Sequence, residues 1–311
     1  RCFYYRAAVR PLSSPQSVDV DTLIARVRKH KKKAPAATGE AERALVVAVS
    51  DWQAGKDEGD GVEGLVERVE RLRTAVPERL RQLKKAGVPV DRLYVCAMGD
   101  LVEGCDGHYA QQTFSVALDR RDQVKLVRRM LVDCLTSWSS LEPQGVVTAV
   151  PGNHGENRKA GKAFTTFEDN DDLAVVEQCG EILAANPDAY GHVRFVLPER
   201  DLTLTLDVAG TIVGFAHGHQ ARKGSGPANR VLNWWRDKAA SRHRIGDADV
   251  LVTGHYHHLI LVQDGGRTWF QCPALDSGSR WFEEQGGPTT VAGTLTFTVD
   301  AAGWGNVAVL R

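Results

Sequence analysis

The sequence lacks the features of a disulfide-rich or membrane-spanning protein. Its six cysteines include no CxxC pair, so we expect reduced thiols rather than a disulfide framework or a cysteine-ligated zinc site. No apolar run approaches the roughly 18 residues that a membrane helix needs. The chain starts without Met, and its first residues lack the apolar core of a signal peptide. These absences predict a cytoplasmic protein that makes no contact with a membrane.

The net charge of the chain is zero, but its charged residues are unevenly distributed. Residues 1–43 contain ten Lys or Arg and four Asp or Glu, which leaves the remainder of the chain net negative. The run "RVRKHKKKAP" holds most of that excess. Such a run either contacts a phosphate backbone or forms a solvated linker, and the sequence leaves both readings open. We predict a basic N-terminal arm over residues 1–43 and one domain over residues 44–311.

The order of apolar patterns predicts a layered α/β domain. Up to about residue 190, short apolar strands such as "ALVVAV" alternate with stretches of helical spacing, among them residues 62–76 and 115–138. After that point strands predominate, interrupted by one helical stretch, "ANRVLNWWRDKAAS". Alternation of this kind is typical of helices that flank one or two sheets.

Polar residues suited to metal binding follow five of the predicted strands. The strand ends read "SDWQ", "GDLVE", "PGNHGEN", "AHGHQ" and "GHYHH". Because ligands bind beyond the carboxyl ends of strands in α/β sheets, these side chains are expected to gather at one edge. They are Asp51, Asp100, Asn153, His154, His217, His255 and His257. One such residue alone would be weak evidence, whereas five strand ends together predict a functional site.

The chemistry of these side chains indicates the kind of ion. Carboxylate, amide and imidazole groups without thiolates suit Mn²⁺, Fe or Zn²⁺. The set is too large for one tetrahedral ion and suits a pair of ions about 3.5–4 Å apart that clamp a phosphate.

In this order, the motifs resemble those of the calcineurin-like metallophosphoesterase superfamily. The family pattern is D-x-H, G-D-x-x-[DE], G-N-H-[DE], a lone His followed by Gly, and G-H-x-H; here "DWQ", "GDLVE", "GNHG", "HGH" and "GHYH" stand in the same order. The chain also resembles phosphoesterases of actinobacteriophages, which are grouped with SbcD-type double-strand-break nucleases. The resemblance implies two packed β-sheets flanked by helices, and a location in the host cytoplasm if the protein is phage-encoded.

The resemblance also implies a role for each matching residue. The first ion would be held by Asp51, Gln53, Asp100 and His257, and the second by Asp100, Asn153, His217 and His255. His154 would stabilise the phosphate or protonate the leaving oxygen. Water activated by the ions would attack phosphorus directly. We expect two divalent ions, with Mn²⁺ favoured and Mg²⁺, Fe or Zn²⁺ as alternatives.

Two positions depart from the family pattern. Gln53 replaces a histidine, and its neutral, harder oxygen favours Mn²⁺ or Mg²⁺ over Zn²⁺ and predicts a weaker first site. Alternatively, Gln53 only binds water beside a single ion. Gly155 replaces an acid that orients the preceding histidine, a contact for which Glu156 is the nearest substitute.

Further side chains around these motifs are candidates for substrate contacts or for support of the site. Glu103 ends the second motif, His108 lies in a predicted lid, "HYAQQTF", and Asn157 and Arg158 follow the third motif. His219 follows the lone His motif. Arg158 has the shape to bind a phosphate, but it and Asn157 could equally stabilise a loop.

Three functions are compatible with these features. The first is a DNA nuclease, as the resemblance and the basic arm imply. The second is a phosphodiesterase or phosphatase for small substrates such as cyclic nucleotides, which the net negative body favours. The third is a nucleic-acid-binding module without catalysis. We expect DNA as a partner and leave a homo-oligomer open; the 54 residues after His257 leave no room for the ATPase-binding helices of SbcD-type nucleases, so we do not expect a stable SMC-like ATPase partner.

Overall fold

Apolar residues that alternate along the strands build two sheets in this chain. A computed structural model describes residues 18–35, 42–109, 112–141, 144–159, 161–278 and 291–311. The strands of the first sheet are β1 Arg43–Val49, β2 Arg92–Ala97, β3 Gln144–Ala149, β6 Val193–Val196, β12 Thr294–Asp300 and β13 Gly303–Leu310. Those of the second are β7 Thr203–Val208, β8 Thr211–Ala216, β9 Val250–Thr253, β10 Ile260–Asp264 and β11 Arg267–Gln271. A short hairpin adds β4 Arg158–Lys159 and β5 Lys162–Ala163.

Helices cover the outer faces of both sheets. They are α1 Val20–Arg28, α2 Gly61–Lys85, α3 Arg120–Trp138, α4 Asp171–Leu183, α5 Pro187–Tyr190 and α6 Gly226–Ala240. None of the helices in these described ranges is long and apolar enough to cross a membrane.

The strand order places parallel strands at the middle of each sheet. The first sheet has the order β13-β12-β1-β2-β3-β6, and its strands β1, β2, β3 and β6 run parallel. The second has the order β10-β11-β9-β8-β7, with β8, β9 and β11 parallel. Neighbouring parallel strands therefore present their carboxyl ends side by side in both sheets.

The alternation along β1 shows how the layers pack. Ala44, Val46 and Ala48 face the second sheet, whereas Leu45, Val47 and Val49 face the helices α1 to α4. The layer between the sheets includes Phe270 and Phe297, whose rings stack at 4.8 Å. Helix α6 covers the far side of the second sheet. The predicted fold class, two packed sheets flanked by helices, is confirmed.

Helix α2 continues well beyond the predicted residue 76, through Pro77 to Lys85. A proline in a helix leaves the carbonyl four residues earlier without its usual partner. The indole Nε1 of Trp138 donates a hydrogen bond of 3.1 Å to that carbonyl, on Arg73. Helix α3 supplies this donor, so the two helices compensate the missing bond together.

Helix α3 starts later than the predicted residue 115, at Arg120. Asp119 precedes it in an extended conformation, and its carboxylate accepts the N–H of Asp122 at 2.9 Å. A side-chain cap of this kind stabilises the first turn and fixes the start of the helix.

Part of the predicted basic arm packs against the body. Leu23 and Val27 of α1 are fully buried against the helical layer, and Arg26 pairs with Asp133 of α3 at 3.1 Å. Lys32 donates to the carbonyl of Ser140, just after α3 ends. Residues 1–17 and 36–41 lie outside the described residues, so the domain boundary at residue 43 stays a prediction.

The five cysteines within the described ranges are free thiols, and four of them are buried, Cys96 among them. This agrees with the expectation of reduced cysteines in the core.

Candidate metal centre

The predicted site residues lie together where the two sheets meet. Asp51, Asp100 and Asn153 follow β1, β2 and β3 of the first sheet, while His217 and His255 follow β8 and β9 of the second. The parallel arrangement of these strands brings their ends to the same edge, as the sequence predicted.

The backbone at this edge adopts an unusual conformation. Asp51, Gln53, Asp100, His255 and His257 have φ angles of 51°, 44°, 52°, 79° and 62°. These left-handed values are uncommon for residues other than glycine and cost on the order of 1–3 kcal/mol each. The surrounding hydrogen bonds hold them in place: the Asp51 N–H, for example, donates to the carbonyl of Gly99 at 3.1 Å.

One group of side chains has the spacing of a metal site. Ligand atoms of Asp100, His217 and His255 all lie within 4.8 Å of one another, the only such trio of His, Cys, Asp or Glu in the part of the chain that the structure describes. His217 Nδ1 lies 2.7 Å from the carbonyl of Met98 and donates to it, since a carbonyl only accepts. Histidines that ligate metals usually make such a bond with the nitrogen remote from the ion.

Several buried atoms of the site have no hydrogen-bond partner. Beside Asp100 they are Nε2 of His217 and Oδ1 of Asn153; Oε2 of Glu103, Nδ1 of His219 and Oδ1 of Asp276 lie further out. His217 Nε2 lies 2.9 Å from Oδ2 of Asp100 without the geometry of a hydrogen bond. Buried polar atoms are nearly always paired, so the two orphaned atoms beside Asp100 fit the role of ligands to an ion. Asp100, Asn153, His217 and His255 therefore suit the second ion that the resemblance implies.

The charges in this group are strongly coupled. Burial raises the pKa of Asp100, but the neighbouring His217 and His154 outweigh it and hold that pKa well below its usual range. Burial lowers the pKa of His217, yet Asp100 and Asp51 bring it to about 9. Burial, with the charge of His217, lowers the pKa of His255 to about 4. The negative charges of Asp100 and Asp51 therefore favour a cation beside His217.

The first predicted ion position is built differently. The Asp51 carboxylate accepts the N–H of His255 at 3.2 Å and the hydroxyl of Ser50, and it lies 3.3 Å from Nε2 of His257. The side chain of Gln53 contacts a cation of the chain, since its Oε1 accepts a hydrogen bond of 3.2 Å from Lys56. Within the described ranges, these residues form no trio with metal-site spacing.

Lys56 and Asp276, which sequence reasoning missed, complete the group around Asp51, Gln53 and His257. Nζ of Lys56 lies 2.5 Å from Oδ2 of Asp276, and Oδ1 of Asp276 lies 3.6 Å from Nδ1 of His257. Asp276 belongs to the loop that follows β11, and its N–H donates to the carbonyl of Asp51 at 3.2 Å. Only the proximity of "GK" to the first motif could have indicated Lys56, and Asp276 lies in no recognised motif.

His154 lies beside the metal group in a fixed orientation. Its Nδ1 donates to the carbonyl of Glu103 at 2.7 Å, its N–H donates to Oδ1 of Asp100 at 2.8 Å, and its Nε2 lies 4.0 Å from Oδ2 of Asp100. The ring stacks on that of His108, with centroids 4.0 Å apart and planes 2° from parallel. Burial lowers the pKa of His108 to about 3, so this neighbour is neutral.

Glu103, rather than Glu156, supports the ring of His154. Oε2 of Glu103 lies 3.4 Å from Nδ1 of His154, and Oε1 accepts the hydroxyl of Tyr109 at 2.8 Å. Glu156 pairs instead with Arg158 at 2.8 Å.

An acid at position 155 has no space in this fold. A Cβ on Gly155 would lie 2.5 Å from Oδ1 of Asn170 and 2.9 Å from Oδ2 of Asp172. Asp172, which the sequence analysis missed, accepts the N–H groups of Asp100, Leu101 and Gly152 at 2.9–3.0 Å. Helix α4 therefore supplies the carboxylate that holds the second and third motifs together.

The remaining candidates lie around the rim. Asn157 accepts from Arg120 at the start of α3, and Arg158 donates to the carbonyls of Gly107 and Gly161 at 3.2 and 3.0 Å. Both side chains thus stabilise the loop in this structure. His219 lies next to His217, with ring centroids 5.4 Å apart. Burial, with the charge of His217, lowers the pKa of His219 to about 3.

Comparison with known proteins gives structural likenesses alone. The chain matches no protein-family model and no curated protein. A hypothetical protein from Pyrococcus horikoshii overlaps 86% of this chain and 87% of its own, at 10% identity and a TM-score of 0.43. An archaeal phosphodiesterase overlaps 86% and 99%, at 10% identity and a TM-score of 0.39. A predicted phosphoesterase from Streptococcus pneumoniae overlaps 85% and 86%, at 12% identity and a TM-score of 0.34. Similarity at this level carries no argument about function, which has to come from the site.

Proposed function

We propose that this chain is a metal-dependent phosphoester hydrolase that cleaves phosphodiesters of DNA. The observation that carries the proposal is the metal group of Asp100, His217 and His255, with orphaned ligand atoms on Asn153 and His217 and an oriented histidine beside it. The relationship to phosphoesterases of actinobacteriophages is part of the same proposal.

The chemistry follows from this arrangement. A divalent ion held by Asp100, Asn153, His217 and His255 would act as a Lewis acid on a phosphoryl oxygen and on a water molecule. The water would lose a proton to solvent as its oxygen bonds to phosphorus, the bond from phosphorus to the leaving oxygen would break, and a phosphomonoester and an alcohol would result.

His154 handles the proton in this reaction. Because its Nδ1–H is committed to the carbonyl of Glu103, Nε2 is the ring nitrogen left for proton transfer. In its imidazolium form, His154 would give the Nε2 proton to the leaving oxygen and would then regain a proton from solvent. General acids of this kind contribute roughly 10²–10⁴-fold to the rate.

An aromatic rim around the site supports a nucleic-acid substrate. We use this name for Tyr109, Phe114, Phe164 and Phe167, whose exposed fractions are 42%, 78%, 63% and 56%. Tyr109 contacts Glu103 beside His154, and the N–H of Phe164 donates to the carbonyl of Asn157 at 3.2 Å, so these two residues adjoin the second and third motifs. The exposed Lys159 and Lys162 lie on the β4–β5 hairpin, which immediately precedes Phe164.

Such a surface suits unpaired bases next to a charged backbone. Stacking on an aromatic side chain contributes about 1–3 kcal/mol per base and tolerates any sequence, while lysines neutralise phosphates. We therefore favour DNA with single-stranded character over a perfect duplex.

A small phosphodiester such as a cyclic nucleotide is the second candidate, and the location of the basic run favours it. Lys32 contacts the carbonyl of Ser140 beyond the C-terminus of α3, whereas Arg120 at the N-terminus of α3 adjoins the site. The 19 residues of α3 separate these ends by about 28 Å. A substrate bound only at the metal group would not reach the basic run.

A substrate panel distinguishes these candidates. With Mn²⁺ present, single-stranded DNA, duplex DNA, a cyclic nucleotide and an aryl phosphodiester are compared for the unmodified protein and for Phe164→Ala with Phe167→Ala. We expect the double substitution to reduce cleavage of single-stranded DNA at least tenfold and to leave the aryl diester unchanged. Val307→Ala, on an exposed position of β13, is the control. Cleavage of the small diesters alone would overturn the DNA assignment, and no cleavage of any ester would overturn the hydrolase.

A further inference from the structure

We propose that this chain binds one divalent ion and that an ion pair between Lys56 and Asp276 takes the place of the other. The proposal rests on the hydrolase function above and concerns how its site is built. It departs from the expectation of two ions, and contacts within the chain support it.

The two halves of the site differ in the groups that surround their polar atoms. At the Asp100 half, Nε2 of His217 and Oδ1 of Asn153 are buried without hydrogen-bond partners. At the Asp51 half, the carboxylate accepts the N–H of His255 and the hydroxyl of Ser50. An ion would pair the orphaned atoms of the first half. At the other half, protein donors satisfy the carboxylate of Asp51, and the orphaned Oδ1 of Asp276 lies 3.6 Å from Nδ1 of His257.

Lys56 supplies a fixed positive charge at the Asp51 half. Its ammonium group donates to Oδ2 of Asp276 at 2.5 Å, to Oε1 of Gln53 at 3.2 Å and to the carbonyl of Gly278 at 3.0 Å. An ammonium has three donors, so these three acceptors use all of them. The side chains of Lys56 and Asp276 are only 11% and 4% exposed, which shields the pair from solvent.

Gln53 takes part in this network, and a cation of the chain already lies at its amide oxygen. Its amide oxygen, the atom that would ligate an ion, accepts from Lys56. A histidine at this position would offer a ring nitrogen to an ion and would conflict with a nearby cation. Gln53 and Lys56 thus belong to one hydrogen-bonded network.

His257 links the ion pair to Asp51. Its Nε2 lies 3.3 Å from Oδ1 of Asp51 and its Nδ1 lies 3.6 Å from Oδ1 of Asp276. Lys56, Asp276, His257 and Asp51 therefore form a continuous chain of side chains. With both ring nitrogens facing carboxylates of the protein, His257 is positioned as a link between loops. Lys56 is accordingly a positioning residue, which holds the loop after β11 against the end of β1.

Metal stoichiometry tests this directly. The purified chain is dialysed against Mn²⁺, bound metal is counted per chain, and electron paramagnetic resonance reports whether neighbouring Mn²⁺ ions are exchange-coupled. We expect one ion per chain and the spectrum of isolated Mn²⁺. Gln53→His combined with Lys56→Ala should admit another ion and produce a coupled spectrum.

Two further variants serve as controls. Lys56→Arg keeps the charge and should keep one ion, which separates the effect of charge from a failure to fold. Lys162→Ala removes an exposed lysine of the β4–β5 hairpin and should also keep one ion. Thermal melts of all variants verify that each is folded.

The outcomes separate this inference from the proposed function. Two coupled ions in the unmodified chain, or one ion still in the folded double variant, would overturn the role of Lys56 and leave the hydrolase intact. One ion without hydrolysis of any ester would instead overturn the function. One ion with hydrolysis, and two in the double variant, would support both.

Discussion

At the scale of single residues, His154 separates catalysis from metal binding. We expect His154→Ala to lower kcat roughly 10²–10⁴-fold, because the proton donor is lost. The bound metal should be unchanged, since the contact to Asp100 comes from the backbone N–H of His154 and survives the substitution. Hydrolysis rates and metal content measured side by side check this. His243→Ala, at a histidine outside the metal centre, is the control, and a fully active His154→Ala would contradict the assignment.

Asp172 is the residue on which the geometry of the site depends most. Its carboxylate accepts three backbone N–H groups and is fully buried. An alanine leaves these donors unpaired, and each costs about 1–3 kcal/mol. We therefore expect Asp172→Ala to lower the free energy of unfolding by several kcal/mol and to weaken metal binding, as urea titrations and dialysis would measure.

The neighbouring Asp171 provides a matched control for that substitution. It pairs with Arg120 near the surface, and such pairs contribute roughly 0–1 kcal/mol. Asp171→Ala should leave stability and metal content almost unchanged. Equal losses of stability and metal content in both variants would mean that the three hydrogen bonds of Asp172 contribute no more than a surface ion pair.

At the scale of secondary-structure elements, helix α1 behaves as part of the body. Leu23 is fully buried against the helical layer, and replacing a buried leucine by alanine costs about 2–5 kcal/mol. We expect that loss for Leu23→Ala in urea unfolding and almost none for Val20→Ala, whose residue is 38% exposed. If Leu23→Ala left the free energy of unfolding unchanged, α1 would be detached from the helical layer in solution.

This has a consequence for the basic arm. Removing residues 1–43 would delete the buried residues of α1 together with the positive charges, so lost DNA cleavage would not report on charge alone. Lys29, Lys31 and Lys33 are exposed, and replacing all three by glutamine changes the charge with the helix intact.

Strand ends could be predicted from the sequence because they combine an apolar run with a polar motif. The positions of Asp51, Asp100, Asn153, His217 and His255 follow from that pattern. The partners Lys56, Asp276 and Asp172 could not be predicted in this way. Their roles depend on tertiary contacts between segments far apart in the chain, and none of them carries a motif.

The two boundaries that differed from prediction have local causes. Helical periodicity alone cannot place the start of α3, because residues before Asp119 share the same apolar spacing. The side-chain cap of Asp119 is what fixes the first residue of the helix. Likewise, the continuation of α2 through Pro77 requires the indole of Trp138, which belongs to another helix. In both cases a hydrogen bond overrides the pattern.

At the scale of the whole molecule, stability should decrease in acid. Burial lowers the pKa of His192 below its usual 6.5, so the unfolded chain binds a proton more readily. The stabilising contribution is complete above pH 6.5 and is lost as the pH falls below it. We expect His192→Gln to make the pH dependence of the urea midpoint between about pH 7.5 and 5 shallower. An identical slope in both proteins would contradict this.

The location of the metal centre between the two sheets has a mechanical consequence. Asp100 belongs to the first sheet, while His217 and His255 belong to the second and lie more than a hundred residues further along the chain. An ion held by all three would act as a removable cross-link between the sheets, which stabilises the folded state because the ion binds that state and not the unfolded one. Chelation should therefore open the joint between the layers before either sheet loses its own hydrogen bonds. Amide exchange at the ends of β2 and β9 would accelerate first.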